Sequence, residues 1–298
     1  MPQPRTPIAL FAYDRPEHVG RAIESLRRCD RIDECSLHIY CDGPRDPSRT
    51  VPVARTRTVV HERTAGLDVQ VIQRPTNLGL ARSVVTAVTE LCRSYGRVIV
   101  VEDDFEVYPD FVDFMLQALD RYEDAPCVYQ VSGYMFPIEH PRSPDAFFLP
   151  LTTTRGWATW ERAWRLFDPN PTGVMEELSD PETRRRFDLE DRYPFARMLE
   201  DRLCGRNDSW GILWWWVVFL ANGLALHPRR SLVRVGGFDG SGTHCGKLDG
   251  GGLESRDAAA DRRLGRPIVF PSAIEPDPAA MERIAEFVGM QQKAHQAV

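Results

Sequence analysis

Val98-Ile99-Val100-Val101-Glu102-Asp103-Asp104 is an apolar run that ends abruptly in three consecutive acids. Four β-branched residues in a row are typical of a strand that is buried on both faces, as in the middle of a parallel sheet. Carboxylates crowded at its end repel one another unless a cation, or donors on a bound ligand, lies among them.

The end of such a strand is a place for a ligand. Ligands of open α/β sheets bind beyond the carboxyl ends of the strands. Hard divalent metals prefer oxygen ligands and commonly bridge carboxylates to substrate phosphates. The run therefore predicts a metal-assisted site for a phosphorylated substrate. The alternative is a buried strand followed by an acidic surface turn.

The composition is that of an ordinary soluble globular protein, with 43% hydrophobic and 27% charged residues. The length of 298 residues suits one large domain or two lobes that share a core. The net charge of −6 argues against a general nucleic-acid binder, because such proteins concentrate positive charge. No nucleic-acid partner is therefore expected.

The cysteines and the N-terminus favour a cytoplasmic location. The seven cysteines are scattered and never spaced as Cys-x-x-Cys, so neither a disulfide framework nor a structural zinc site is expected. Residues 1–6 are polar and proline-rich and lack the charged and apolar regions of a signal peptide. Residues 212–226 form the most apolar stretch, which is too short for a membrane span and is predicted to be a buried helix.

The first third of the chain alternates between predicted strands and helices, which indicates a parallel sheet with helices on both faces. The predicted strands are residues 7–13, 36–41, 68–74, 98–101 and 127–132. The predicted helices are residues 15–29, with Asp14 as N-cap, and residues 52–62, 79–93 and 110–123.

From about residue 137 the sequence becomes rich in proline and aromatic residues. A charged helical region is predicted over residues 180–202, a buried helix over 212–226 and a mobile glycine-rich loop over 236–252. The predicted units are two halves, residues 1–136 and 137–275, followed by a peripheral helical tail, residues 276–298.

Four motifs fall near the ends of the predicted strands in the first half. They are Ala12-Tyr13-Asp14-Arg15, Cys41-Asp42-Gly43, Asn77-Leu78-Gly79-Leu80-Ala81-Arg82 and the run from Val100 to Phe111, where Glu-Asp-Asp precedes acid-x-x-Pro-Asp-Phe. With these motifs the chain resembles the GT-A glycosyltransferases, in particular bacterial family 2-like sugar transferases and the Golgi N-acetylglucosaminyltransferase that begins complex N-glycans. The likeness covers residues 7–136 and is patchy beyond, where it rests on residues 156–157, 207–210 and 237–244.

The resemblance implies a GT-A type α/β fold with a mostly parallel central sheet flanked by helices and a C-terminal acceptor-side subdomain. It implies transfer of a hexosyl or N-acetylhexosaminyl group from a nucleotide diphosphate sugar, UDP-linked, to an acceptor hydroxyl, with Mn²⁺ or Mg²⁺ as cofactor. The first half would bind the nucleotide sugar. The second half would bind the acceptor, which is a glycan, a lipid-linked saccharide or a small natural product. The oligomeric state is left open.

The metal roles also follow from the resemblance. Asp104 is expected to be the direct metal ligand. Asp103 is expected to face the ribose hydroxyls or a metal-bound water, and Glu102 to support the arrangement. His244, in the glycine-rich loop, is expected to be a second metal ligand or a pyrophosphate contact, and the alternative is an incidental histidine.

Four further residues are expected to contact the donor. Arg15 suits a carboxylate or a phosphate, although Asp14 and Arg15 can also simply cap the first helix. Asp42 is placed to accept from a base N–H or a ribose hydroxyl, and its alternative is an ordinary turn. Asn77 and Arg82 match the family 2 segment, although asparagine shortly before glycine is also a plain turn signal.

An inverting transferase needs a base that takes the proton from the acceptor hydroxyl. Asp208, ahead of Trp210, is the candidate, and desolvation beside Trp210 and Trp214 is expected to raise its basicity. The alternatives are an N-cap role for Asp208, or a base role for Glu200 or Asp201. Trp157 is expected to line the sugar or acceptor site by stacking, whereas Trp160, Trp164 and the triple Trp214–Trp216 are assigned to the core.

Two rival functions share these features. A nucleotidyltransferase has a similar sheet and acids, but it would carry a glycine-rich basic loop after the first strand, which residues 12–16 lack. A catalytically silent sugar-nucleotide-binding protein would keep the binding residues without needing a base. A retaining mechanism also stays open, because the fold does not fix the stereochemistry.

Overall fold

The computed structural model describes residues 5–138, 144–236 and 263–296. Within these ranges the strands are β1 (Thr6–Ala12), β2 (Cys35–Cys41), β3 (Val69–Gln73), β4 (Arg97–Glu102), β5 (Phe105–Val107), β6 (Val128–Ser132), β7 (Ala146–Leu149), β8 (Trp157–Trp160), β9 (Leu224–Pro228) and β10 (Val233–Val235). The α-helices are α1 (Pro16–Arg27), α2 (Thr50–Arg63), α3 (Leu80–Tyr95), α4 (Phe111–Arg121), α5 (Glu161–Trp164), α6 (Val174–Glu177), α7 (Pro181–Phe187), α8 (Phe195–Leu203), α9 (Trp210–Leu220) and α10 (Pro278–Gln296).

The centre of the molecule is an eight-stranded sheet in the order β3-β2-β1-β4-β8-β6-β9-β7. Strand β1 pairs in parallel with β2 and β4, and β2 pairs in parallel with β3. Strands β7 and β8 are antiparallel to their neighbours, so they run against the other six. The predicted fold class, an α/β protein with a mostly parallel central sheet flanked by helices, is confirmed.

Strand β4 is buried on both faces, as its four β-branched residues predict. Ile99 and Val101 contact one apolar layer, which includes side chains of α1 and α4. Val98 and Val100 contact the layer on the other face, which includes side chains of α3, α5 and α9. The alternation of side chains along a strand sends successive residues to opposite faces, so an unbroken apolar run needs both layers.

The predicted elements between residues 7 and 132 are all present, with bounds shifted by at most two residues. The short strand β5 was not predicted. The predicted N-cap role of Asp14 is wrong, because Arg15 occupies the N-cap position of α1. The side chain of Arg15 makes no capping hydrogen bond. Asp14 instead accepts a hydrogen bond from Arg49 at 3.0 Å.

The charged region over residues 180–202 forms two helices, α7 and α8, and not one continuous helical stretch. Between them Leu189, Glu190 and Asp191 have positive φ angles of 52°, 58° and 61°. This left-handed conformation cannot continue a right-handed helix. The carboxylate of Asp188 accepts from the backbone N–H of Ala196 at 2.6 Å and so holds the start of α8.

The buried helix predicted over residues 212–226 is wrong in its extent, because helix α9 ends at Leu220 and strand β9 begins at Leu224. The chain reverses through Asn222, whose φ is +47°. Gly223 follows, and a Cβ atom there would lie 2.5 Å from the Tyr129 ring. Both elements are buried, so the hydrophobic pattern alone does not separate them.

The helix predicted for the C-terminal tail is present as α10. Its Ala280 and Ile284 are fully buried in the apolar cluster of the second half, together with Phe187. The central sheet runs through both predicted halves, and the division into residues 1–136, 137–275 and 276–298 stays a prediction. None of the described helices is both long enough and apolar enough to cross a membrane.

Candidate active site

The parallel pairing brings three strand ends to one edge of the sheet. Phe11 of β1 is in register with Glu102 of β4, and Ala12 is in register with Cys41 of β2. The residues that follow these strands are therefore neighbours. They include four of the side chains that the sequence predicts to bind a donor or a metal, which are Arg15, Asp42, Asp103 and Asp104.

Arg15 lies between the last two acids of the run. Its guanidinium forms an ion pair with Asp103 and lies 3.5 Å from Oδ2 of Asp104. The side chains of Asp103 and Asp104 are only 5% and 13% exposed. The other oxygen of each carboxylate, Oδ2 of Asp103 and Oδ1 of Asp104, is buried without a hydrogen-bond partner in the described residues.

Two buried carboxylate oxygens without partners are costly, because a buried charge needs pairing or coordination. Among the described residues, no group of three or more His, Cys, Asp or Glu side chains is arranged to hold a metal ion. The protein side of this cluster therefore offers fewer ligands than a fully enclosed metal centre. The two oxygens fit a divalent cation that draws its remaining ligands from a bound phosphate group and water.

Burial and mutual repulsion keep protons on this cluster. Burial, followed by the charges of Asp104 and Asp103, raises the pKa of Glu102 to about 8. Burial also raises the pKa of Asp103 to about 6, although the charge of Arg15 opposes the rise. A bound cation would favour the ionised forms of both groups, since an opposite charge nearby lowers a carboxyl pKa.

Strands β5 and β10 form a small antiparallel ladder that begins directly after Asp104. After β10, the N–H of Gly236 donates to the backbone carbonyl of Asp104 at 2.7 Å. His244, the predicted second metal ligand, lies outside the described residues, as does most of the predicted glycine-rich loop. Both of these predictions stay predictions.

Asp42 joins the loop after β2 to the segment before α3. Its carboxylate accepts from the backbone N–H groups of Leu78 at 2.9 Å and Gly79 at 3.0 Å. The side-chain amide of Asn77 donates back to the carbonyl of Gly43 at 3.0 Å. A Cβ atom on Gly43 would lie 2.5 Å from the backbone of Thr76, so this close approach requires glycine.

The structure thus brings Asp42 and Asn77 together, and it gives Asp42 a definite role in fixing the loop. Arg82 is exposed in the first turn of α3. Donor contacts from these three residues stay predictions.

The predicted stacking role of Trp157 at the sugar or acceptor site is wrong. Trp157 is fully buried, and it stacks on Trp210 with ring centroids 5.3 Å apart. Trp164 and Trp214 enclose it further, at 5.7 Å and 6.3 Å. A ring covered in this way cannot stack on a sugar, so Trp157 belongs to the core and not to the lining of the site. The core assignments of Trp160, Trp164 and Trp214–Trp216 are confirmed.

Asp208 lies at the same edge of the sheet as the acid run, immediately before α9. The start of α9 meets the segment that leads into β8, because Trp210 stacks on Trp157 and Gly211 closely approaches Thr154. The proposed N-cap role of Asp208 is wrong, since Ser209 is the N-cap and accepts from Ile212 at 3.4 Å. The expected desolvation of Asp208 is also wrong, because the residue is exposed.

The two alternative bases form surface ion pairs. Glu200 is paired with Arg184, and Asp201 is paired with Arg197 and Arg206. Pairs of this kind are typical of a solvated helix face.

Sequence reasoning missed Arg155 and Tyr134. The Cζ atom of Arg155 lies 4.6 Å from the centroid of the Tyr134 ring. The charge of Arg155 acts on Glu102, whose pKa it lowers against the effect of burial. The signal for Arg155 is its place two residues before Trp157, but that signal is visible only once β8 is known to pair with β4.

No family model matches the chain. Similar solved structures include a mannosyltransferase from Pyrobaculum calidifontis in complex with GDP-Man and Mn²⁺, with 15% identity, a TM-score of 0.39 and coverage of 74% of this chain and 71% of that chain. A second is glucosyl-3-phosphoglycerate synthase from Mycobacterium tuberculosis in complex with Mn²⁺, UDP and glucosyl-3-phosphoglycerate, with 12% identity, a TM-score of 0.35 and coverage of 56% and 60%.

A third similar structure is mouse xyloside xylosyltransferase 1, with 12% identity, a TM-score of 0.35 and coverage of 64% of this chain and 77% of that chain. The aligned part of the chain spans only 60% of the length of the synthase. These are distant likenesses of fold, and the function of this chain rests on its own site residues.

Proposed function

We propose that the protein is a metal-dependent glycosyltransferase that moves a sugar from a UDP-linked donor to an acceptor hydroxyl. The observation that carries this proposal is the pair of buried carboxylate oxygens on Asp103 and Asp104 that have no hydrogen-bond partner in the described part of the chain. They lie at the carboxyl edge of a mostly parallel sheet, where ligands of such sheets bind. The motifs around them resemble those of GT-A glycosyltransferases.

Asp104 and Asp103 would hold the cation, which is Mn²⁺ or Mg²⁺. Hard cations of this kind prefer oxygen ligands and keep open positions for phosphate oxygens. When bound, the cation supplies Lewis-acid stabilisation of the negative charge that builds on the leaving diphosphate. Arg15 holds both carboxylates in orientation through its ion pairs. We include His244 as a further ligand or pyrophosphate contact.

The donor half of the site is formed by the loops after β1 and β2 and by the segment before α3. Asp42 fixes the backbone of residues 78 and 79, and Asn77 fixes Gly43. These hydrogen bonds hold the two loops together. The joined loops would give a nucleotide a rigid binding surface, which reduces the entropy cost of binding. Arg82 and Glu102 complete the proposed donor contacts.

Asp208 is the proposed base of an inverting reaction. Asp208 immediately precedes α9, whose first residue, Trp210, stacks on Trp157 of β8, the strand next to β4. A general base must reach the proton of the acceptor hydroxyl, and an exposed position before a helix leaves room for an acceptor. The acceptor is a glycan, a lipid-linked saccharide or a small natural product.

The proposal is tested by incubating the protein with a set of UDP- and GDP-linked sugars and measuring release of the nucleoside diphosphate. Slow hydrolysis of one donor is expected with Mn²⁺ or Mg²⁺, and a chelator should abolish it. Added divalent cation in excess of the chelator should restore it. Absence of turnover and of binding for every donor would contradict the proposal. Release of pyrophosphate from a nucleoside triphosphate would favour a nucleotidyltransferase instead.

A further inference from the structure

Arg155 lies on the opposite side of the acid run from Arg15. Strand β8 is antiparallel to β4, with Val100 in register with Trp157. Arg155 lies two residues before Trp157, and Glu102 lies two residues after Val100, so both are just beyond this pair, and the charge of Arg155 acts on Glu102. Arg15 follows β1, on the other side of β4. The acids at the end of β4 are therefore flanked by one arginine on each neighbouring strand.

The backbone that carries Arg155 is fixed by hydrogen bonds on both sides. Before it, the carbonyl of Thr153 accepts from Gln130 at 2.7 Å, and the Thr153 hydroxyl bonds to Ser132 at 2.5 Å. After it, the carbonyl of Gly156 accepts from the N–H of Gly133 at 2.6 Å. These partners lie at or just beyond the end of β6, which ends at the same edge of the sheet.

Gly156 makes the turn next to Arg155 possible. Its φ is +60°, and a Cβ atom there would lie 2.6 Å from Val233. A larger residue would therefore force the strand away from β10 or twist it out of the left-handed conformation. Glycine at this position lets the chain turn sharply from Arg155 into β8.

The side chain of Arg155 is held as firmly as its backbone. Its guanidinium lies over the ring of Tyr134, which is only 5% exposed and so cannot move aside easily. A guanidinium on an aromatic face keeps its forked N–H donors in the plane of the group, where they suit a phosphate. The contact therefore limits the orientations that the Arg155 guanidinium can take.

The charges favour a diphosphate as that anion. Glu102, Asp103 and Asp104, with Arg15 and Arg155, carry one more negative than positive charge when all are ionised. A divalent cation on the two carboxylates would make the site positive, which favours a dianionic diphosphate over a neutral group.

We infer that Arg155 is a second cationic contact for the diphosphate of the donor, acting from the β8 side of the metal. This inference rests on the proposed function, because it takes the bound ligand to be a nucleotide diphosphate sugar. It names a binding residue that the acid motif itself does not contain. In the proposed function the nucleoside would lie on the side of β1 and β2, so Arg155 would contact the terminal phosphate and not the rest of the nucleotide.

The test compares nucleoside diphosphates with monophosphates. Binding of UDP, UMP, GDP and GMP is measured calorimetrically in Mn²⁺ for the wild-type chain, Arg155→Gln and Arg155→Lys. Loss of a charge-assisted contact is expected to weaken diphosphate binding by about 10- to 100-fold in Arg155→Gln. Monophosphate binding should change by less than about twofold, since it lacks the terminal phosphate. Arg155→Lys keeps the charge without the fork and should lie between the two.

Arg121→Gln is the matched control. Arg121 also lies over aromatic rings, 5.8 Å from both Tyr122 and Phe270, but it stands at the C-terminal end of α4, away from the acid run. Its diphosphate affinity should equal that of the wild type. Thermal unfolding of each variant shows whether the fold is intact.

The outcomes separate the two proposals. If the wild type binds its diphosphate and Arg155→Gln binds it equally well, the role of Arg155 is overturned and the proposed function stands. Equal weakening of diphosphate and monophosphate binding also overturns it. If the wild type binds no nucleoside diphosphate, the proposed function fails and this inference fails with it.

Discussion

The two sides of the site differ in how complete they are without a ligand. On the β4 side, Asp103 and Asp104 are buried, and each leaves one oxygen without a partner. On the α9 side, Trp157 is enclosed by other tryptophans, while Asp208 stands in solvent. The first arrangement leaves charged oxygens to be satisfied by a cation, whereas the second leaves only the neutral indole Nε1 of Trp157 buried without a partner among the described residues. The comparison teaches that unpartnered buried carboxylate oxygens, whose charge is costly to bury, point to the ligand.

The largest expected effect comes from the β4 side. Asp104→Asn removes a charge from the proposed metal site, and we expect turnover of the nucleotide sugar to fall by about 1000-fold or more. Glu106→Gln is the control, because Glu106 is two residues away but pairs with Arg21 and Arg234. Steady-state rates at saturating Mn²⁺ measure both. Undiminished turnover in Asp104→Asn would contradict the proposal that the β4 side of the site binds a metal ion.

The next largest effect concerns Asp208. Asp208→Ala should lower turnover by about 100-fold or more while donor affinity stays within a few-fold of the wild type, because a base acts on the acceptor hydroxyl. Asp201→Asn, a paired surface acid on the preceding helix, is the control. Rates and calorimetric binding give the two quantities separately. Parallel loss of binding and turnover would assign Asp208 to the donor, and an unaffected cellular role would favour a silent binding protein.

Trp157 offers a test of the packed side through stability. Trp157→Ala should lower the free energy of unfolding by about 3–5 kcal/mol, because it leaves a cavity among three other tryptophans. Trp157→Phe should lose less, and its KM for the donor should match that of the wild type. Urea unfolding and steady-state kinetics measure these two effects. A raised KM with unchanged stability would restore the predicted stacking role.

The smallest expected effect is the pH dependence of the acid cluster. Burial raises the pKa of Glu102 to about 8 and that of Asp103 to about 6 in the folded protein. The unfolded chain releases these protons at lower pH, so the metal-free protein should lose stability as pH rises from about 4 to about 8. Bound Mn²⁺ favours the ionised acids, and the rise in Tm that it causes should therefore grow between about pH 6 and pH 8. A shift in Tm that stays constant over this range would contradict the cluster as the metal site.

The sequence predicts the β4 side of the site well, because that side is local. An apolar run, its terminal acids and the turn residues after β1 and β2 all lie within continuous stretches, and parallel pairing brings their ends together. Asp42 shows that prediction from sequence is limited even on the β4 side of the site. Its pattern predicts a turn or a ligand contact, while its three backbone partners include Leu78 and Gly79, far along the chain.

The α9 side was harder to predict because its geometry depends on antiparallel strands that arrive from the second half. Strand β8 inserts between β4 and β6, and only that insertion buries Trp157 and brings Arg155 close enough for its charge to act on Glu102. Helix α9 and strand β9 are both apolar throughout, so their hydrophobic pattern does not show the turn at Asn222. Ser209 and Asp208 are both good capping residues, and the pattern alone does not choose between them.

Direct titration of Mn²⁺ into the protein in the presence of UDP tests the central claim, which is that the unpartnered oxygens of Asp103 and Asp104 are completed by a cation. We predict that the wild-type chain and Glu106→Gln bind one Mn²⁺ with the same affinity, and that Asp104→Asn binds it at least about tenfold more weakly. Equal binding by Asp104→Asn and the wild type, or no uptake of Mn²⁺ by the wild type, would contradict the account.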